Sequence, residues 1–182
     1  MTRRKIIIGA AVLGVAGLAG LAAHFGILRA DEDDDDDDES GREVVARGLR
    51  FAKVSLQQGL SASEREGQPI SGKFEVDRSK FQLSVYTSRD GQFSEVLVDY
   101  STGEIVNVAP ITAGEDLAVA QAQRAAMTRA ETSLRDAVNK TLADAGDFRA
   151  IGVMPNLKDG RAVASVLIVK GEDFKIINQP LD

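Results

Sequence analysis

Nine consecutive acids, Asp31 to Glu39, divide this chain into parts that cannot share a core. Like charges at that density repel one another and bury no apolar surface, so residues 31–41 are expected to be an acidic, disordered linker. Ahead of the linker lies an apolar run from Ile6 to Leu28, 23 residues interrupted only by His24 and preceded by Arg3, Arg4 and Lys5. A helix of about 20 apolar residues spans a bilayer, whereas the apolar part of a signal peptide takes about 7–15. Residues 1–30 are read as a transmembrane anchor or signal peptide, and the length of residues 6–28 favours the retained anchor.

Orientation follows from the flanking charges. Basic residues before the span and acids after it place the N-terminus in the cytoplasm and residues 31–182 outside. The start Thr2-Arg3-Arg4-Lys5 also resembles a twin-arginine export signal, with an ordinary basic leader as the plainer alternative. Within the span, Ala10/Gly14 and Ala16/Gly20 are spaced to let a second helix approach closely.

The net charge of −6 is unevenly spread: residues 1–30 carry +4 and residues 31–39 carry −9, which leaves −1 on residues 40–182. A nearly neutral body behind polyaspartate offers nothing to a phosphate backbone, so no nucleic-acid partner is expected. The acidic run lacks the alternating ligands and turn glycine of a calcium loop, which leaves weak, diffuse cation association. The chain has no Cys and a single His, inside the apolar run. Thiol chemistry, a disulfide framework and a His-based triad are thereby excluded from residues 31–182.

Beyond the linker the hydrophobic period switches, and the cycle then repeats. Val45, Leu49, Ala52, Leu56 and Leu60 fall on one face of a helix expected from Arg42 to about Glu66. Ile70, Gly72, Phe74 and Val76 then alternate with Ser71, Lys73, Glu75 and Asp77 as a half-buried strand. After a turn at Arg78-Ser79, a second strand carries Phe81, Leu83 and Val85. Asp90-Gly91 marks a hairpin, and strands follow at Phe93–Asp99 and Glu104–Val108.

The second cycle opens with Glu115 and Asp116 at a helix start, followed by apolar residues at helical spacing to Leu142. Ser133 with Asp136 resembles a capping box, which suggests two helices meeting near residue 132. Strands are expected at Arg149–Met154, Ala162–Lys170 and Asp173–Asn178, with a turn over Asn156–Gly160 and another at Gly171. The cycles align: Ser55-Leu56 with Ser133-Leu134, Gly67 with Gly146, and Asp90-Gly91 with Gly171. Units of about 60–70 residues are marginal alone, so the halves are expected to share a core by stacking sheets or helices.

The stretch Gly67–Val108, above all Phe93–Val108 with its Val98-Asp99 and Thr102-Gly103, resembles the PepSY domain family. The expected organisation is a first PepSY-like unit over 42–111 and a second, degenerate one over 112–182, which lacks the D-x-x-T-G turn. The resemblance implies an α+β class of two tandem helix-plus-antiparallel-sheet, cystatin-like units. It also implies a bacterial cell envelope protein, anchored in the inner membrane with its body periplasmic or extracellular. The family is linked to binding and restraining peptidases, and other members sit beside membrane redox proteins or signalling kinases. It carries no catalytic residues to transfer.

The remaining candidates are weighed residue by residue. Asp99 is expected to accept backbone N–H bonds in its turn and Gly103 to supply a positive φ. Glu115/Asp116 and Asp144/Asp147 could pose as paired carboxylates, but solvation at helix ends accounts for them. The Ala/Gln/Arg-rich stretch 115–131 reads as a packed helix with an alternative use as a docking face. An open sheet edge offers a second route, by strand addition. The expectation is thus a binding module and not an enzyme, with no catalytic, metal or cofactor residues. Its partner would be an envelope protein or peptidase; the alternative is a sensor or accessory subunit of a membrane signalling or redox complex.

Overall fold

In the structure, a computed structural model that describes residues 43–77 and 80–182, the first helical stretch is not continuous. Helix α1 covers 43–49, and α2 begins afresh at Leu56–Ser63. The restart is written in Ser55. Its side chain accepts from the Gln58 N–H at 3.2 Å, and the Gln58 side chain accepts from the Ser55 N–H at 2.8 Å. This reciprocal capping box satisfies two N–H groups that a helix start would otherwise leave open. The single helix expected over 42–66 is corrected accordingly: 3.6-residue spacing cannot see a break that keeps the apolar face in phase. The apolar span, the acidic run and the Arg78-Ser79 turn lie outside the described residues. Among the described residues no helix is long and apolar enough to cross a membrane.

Four strands follow as a meander: β1 (Gln68–Asp77), β2 (Lys80–Arg89), β3 (Gln92–Val98) and β4 (Ile105–Pro110). The β2–β3 hairpin turns on Asp90 and Gly91 at φ 51° and 80°, the two positive values a tight two-residue turn requires. Helices α3 (Gly114–Met127) and α4 (Leu134–Ala145) come next, then a second meander of β5 (Arg149–Lys158), β6 (Arg161–Lys170) and β7 (Asp173–Pro180). Ser133 caps α4 as expected, accepting from the Asp136 N–H at 3.1 Å. The turn expected over Asn156–Gly160 shrinks to Asp159-Gly160, because β5 keeps its pairing with β6 out to Lys158↔Arg161.

All seven strands form one antiparallel sheet in the order β4-β3-β2-β1-β5-β6-β7. The protein is therefore α+β. The two halves share one core, with α2 and α4 side by side, but of the two expected arrangements the stacking of sheets does not occur. The meanders join edge to edge, with Gly72 opposite Val153 and Lys73 opposite Gly152. Joining edges pairs backbone groups that would otherwise be open, and among the described residues leaves open only the outer edges of β4 and β7.

Helices cover both faces of the sheet. Gly72 points at α2, where an added Cβ would lie 3.1 Å from Leu60, and Gly59 of α2 is tighter still, its added Cβ 2.3 Å from Leu83. The next side chain along, Ser71, reaches α3 instead and donates to Gln123 at 2.8 Å. Adjacent strand residues point to opposite faces, so α2 and α3 flank the sheet. Helix α4 lies beside α2, joined by Gln57–Asn139 and Arg135–Ser61 hydrogen bonds. The face under α1, α2 and α4 is the larger apolar layer. Phe74, Leu83, Val85, Val96, Ile151 and Val166 are fully buried in the core.

Arg149 ties the meanders across their junction, and a second contact fastens the C-terminal end. Arg149, at the start of β5, donates to the carbonyls of Leu49 at 2.9 Å and Val54 at 2.8 Å, and its guanidinium lies 5.3 Å from the Phe74 ring centre. Leu49 ends α1, so the cation meets the negative end of a helix. At the far end, the Leu181 carbonyl accepts from the N–H groups of Glu131 and Thr132, and its own N–H donates to Ala162. That strap holds the α3–α4 connection as it passes from one face of the sheet to the other.

Candidate functional site

The two faces of β1 and β2 differ in chemistry. On the α2 side they present Gly72, Phe74, Leu83 and Val85; on the other side they present Ser71, Lys73, Ser84 and Tyr86. Helix α3 covers that second side across β2, β1, β5 and β6. Its buried stripe of Ala120, Ala126 and Met127 includes one polar residue, Gln123. Small alanines let the helix sit close, but its N-terminal turns stand off from β2. Between them lies a cleft of about 310 Å³, with Tyr86, Lys73 and Ser84 on its floor and Glu115, Asp116 and Val119 on its wall.

The polar groups of the cleft are organised. Tyr86 donates its hydroxyl to Asp116 at 3.0 Å. Burial, then the charge of Asp116 and more weakly those of Glu95 and Glu75, push the phenol well above its ordinary range, so it stays a donor. Ser84 donates to Glu95 at 2.6 Å, Gln82 to Glu75 at 3.2 Å, and Lys73 pairs with Glu75 at 2.7 Å. Glu95 lies opposite Tyr86 in the β2–β3 pairing, on the same face. The site therefore gathers carboxylates from β1, β3 and α3 around one ammonium, which is itself already paired. Its apolar contribution comes from the side chains of Val119 and Met154.

Of the residues singled out from sequence, Glu115 and Asp116 reach this cleft and Asp144 and Asp147 do not. The latter pair lies at the end of α4 and beyond it, where Asp147 accepts from Lys170 at 3.3 Å. Asp99 holds its turn as expected. One carboxylate oxygen accepts from the Ser101 N–H and hydroxyl and from the Thr102 N–H, at 2.8, 2.6 and 2.8 Å. These bonds lower its pKa from the ordinary 3.8 to about 2. Gly103 takes φ 80° and closes the turn onto the Asp99 carbonyl at 2.8 Å.

Sequence reasoning missed Tyr86, Ser71, Ser84, Lys73 and Gln123, because alternation assigned the polar side of β1 and β2 to solvent. One signal was available: Gln123 interrupts the apolar stripe of its helix. Among the described residues there is no group of three or more side chains placed to hold a metal ion. In comparisons with known proteins, no family model matches the chain, and neither a curated protein nor a solved structure does.

Proposed function

We propose that this chain is a non-enzymatic, membrane-tethered extracytoplasmic module that binds an extended segment of a protein partner and restrains an envelope peptidase. In this reading its body comprises two tandem PepSY-like units, the second degenerate. Support for the tandem arrangement comes from Ser55 and Ser133, both helix caps, and from Gly67 and Gly146, which precede β1 and β5 respectively.

The observation that carries the binding role is the contrast between the two sheet edges. Strand β7 includes Asp173 and Lys175, charges of the kind that discourage pairing with another chain. Strand β4, Ile105–Pro110, has no charged residue, and Val106 and Val108 are 63% and 41% exposed. Only Pro110, at its last position, blunts it. A partner strand added there would gain main-chain hydrogen bonds along β4 and cover both valines.

The test uses the immobilised full chain, wild type and Val106→Lys/Val108→Lys, to capture peptidases from envelope extract at low and moderate salt. Retention by the wild type alone, with peptidase activity falling on addition of free protein, is the expected result. Equal retention by the edge variant would remove β4 from the role. Capture of only kinases, redox subunits or nothing would remove the peptidase and favour an accessory subunit of a membrane complex.

A further inference from the structure

The cleft beneath α3 has a feature that neither helix capping nor core packing requires. Gln123 is only 3% exposed. Its carbonyl oxygen accepts from Ser71, while its amide nitrogen donates to no described protein atom and is not sealed from the cleft. An amide donor held at the base of a cleft with no protein acceptor is costly unless water or a ligand oxygen meets it. Above it, Asp116 gives one oxygen to Tyr86, and Glu115 makes no hydrogen bond or ion pair with any described residue. Glu95 and Glu75 add negative charge from beside Tyr86 on the same sheet face, and among the described residues lining the cleft the one ammonium, Lys73, is paired. Between the carboxylates and the amide runs an apolar strip, Val119 and Met154.

We infer that this cleft takes an organic cation, a primary ammonium or guanidinium on an apolar stem, as presented by a basic side chain or a small free amine. The charge sits against Glu115 and Asp116, the stem lies along Val119 and Met154, and an adjoining carbonyl accepts from the Gln123 amide. The volume of about 310 Å³ suits one such group, at the small end of ligand sites. Tyr86 keeps the Asp116 carboxylate aimed inward, and the excess of carboxylates over ammonium selects the sign of the charge. The inference does not depend on β4, which lies at the sheet edge away from α3.

Titration of the full chain, followed by NMR at the Gln123 side-chain amide and the Gly72 amide, tests it. The probes are butylammonium chloride, acetyl-Ala-Arg-Ala-amide, and the uncharged acetyl-Ala-norleucine-Ala-amide. Saturable shifts with a dissociation constant below about 10 mM are expected for at least one cation and not for the neutral peptide. Saturation by both cations identifies a free amine as sufficient; saturation by the arginine peptide alone identifies a basic side chain. The double variant Glu115→Gln/Asp116→Asn should weaken binding at least about tenfold, and Asp144→Asn on the far face should change it less than about twofold. Val119→Arg, which supplies a guanidinium from the helix itself, should block the probes with every carboxylate still present. Binding of the neutral peptide as tightly as the charged one, unchanged affinity in the double variant or in Val119→Arg, or no saturation by either cation would each overturn the assignment.

Discussion

Strand β1 presents two different proteins to its two sides. Toward α2, Gly72 and Phe74 meet Leu56, Leu60 and Phe81 with no room to spare; Phe74 stacks on Phe81 at 5.6 Å between ring centres. Toward α3, Ser71 and Lys73 meet a glutamine, a tyrosine and carboxylates around an open cleft. The backbone and register are the same, so the difference lies wholly in alternate side chains and in the helix placed over them. Apolar contact is non-directional and grows with buried area, so it stabilises. Polar contact in a partly open cleft exchanges water for protein at little net gain, but it discriminates between ligands.

That contrast can be broken by substitution. Phe74→Ala should have the largest effect, about 3–5 kcal/mol off the unfolding free energy in urea titrations, since the ring is fully buried and also supports Arg149. Gly59→Ala comes next. Its Cβ would approach Leu83 Cδ2 to 2.3 Å with Cγ at 3.1 Å behind it. Overpacking of about 1–3 kcal/mol should outweigh the helix-propensity gain of up to about 1 kcal/mol, lowering the thermal midpoint. On the other face, Ser71→Ala should cost no more than about 1 kcal/mol, because water in the cleft can replace the lost hydroxyl. A loss there as large as that of Phe74→Ala would make the polar face a second core and end the distinction.

A smaller effect belongs to neither face and serves as the reference. Asp99 has its pKa lowered to about 2 from 3.8. A depressed carboxylate contributes stability that is complete above its unfolded pKa and is lost as pH falls through the folded one. Acid unfolding curves should therefore steepen between about pH 4 and pH 2 in the wild type, and Asp99→Asn should flatten that window alone. An unchanged slope would mean that the turn is held by Gly103 and Thr102 without the carboxylate.

Much of the strand layout was legible in the sequence because period-2 alternation and turn chemistry are local. Asp90-Gly91 and Asp159-Gly160 demand positive φ and obtain it at both turns. The α1–α2 break was legible too, in Ser55 and Gln58, but the continuous apolar phase masked it. The cleft was not legible. Lys73 and Ser84 have the composition of a solvated strand face, and nothing local to β1 or β2 announces that a helix starting some thirty residues after Tyr86 will cover them.

The sequence by itself determined the element types, the hairpins and the caps, since each depends on residues within a few positions of one another. It also determined that one side of each strand is apolar. Which elements meet was decided by tertiary structure alone: the edge-to-edge union of β1 with β5, α3 on one face of the sheet and α2 and α4 on the other. The reason is physical. Alternation specifies that a face must be covered, but burial is non-directional and accepts any helix of suitable shape. The choice falls to long-range fits such as Gly59 against Leu83, Arg149 on the end of α1, and Leu181 strapped beneath the α3–α4 turn.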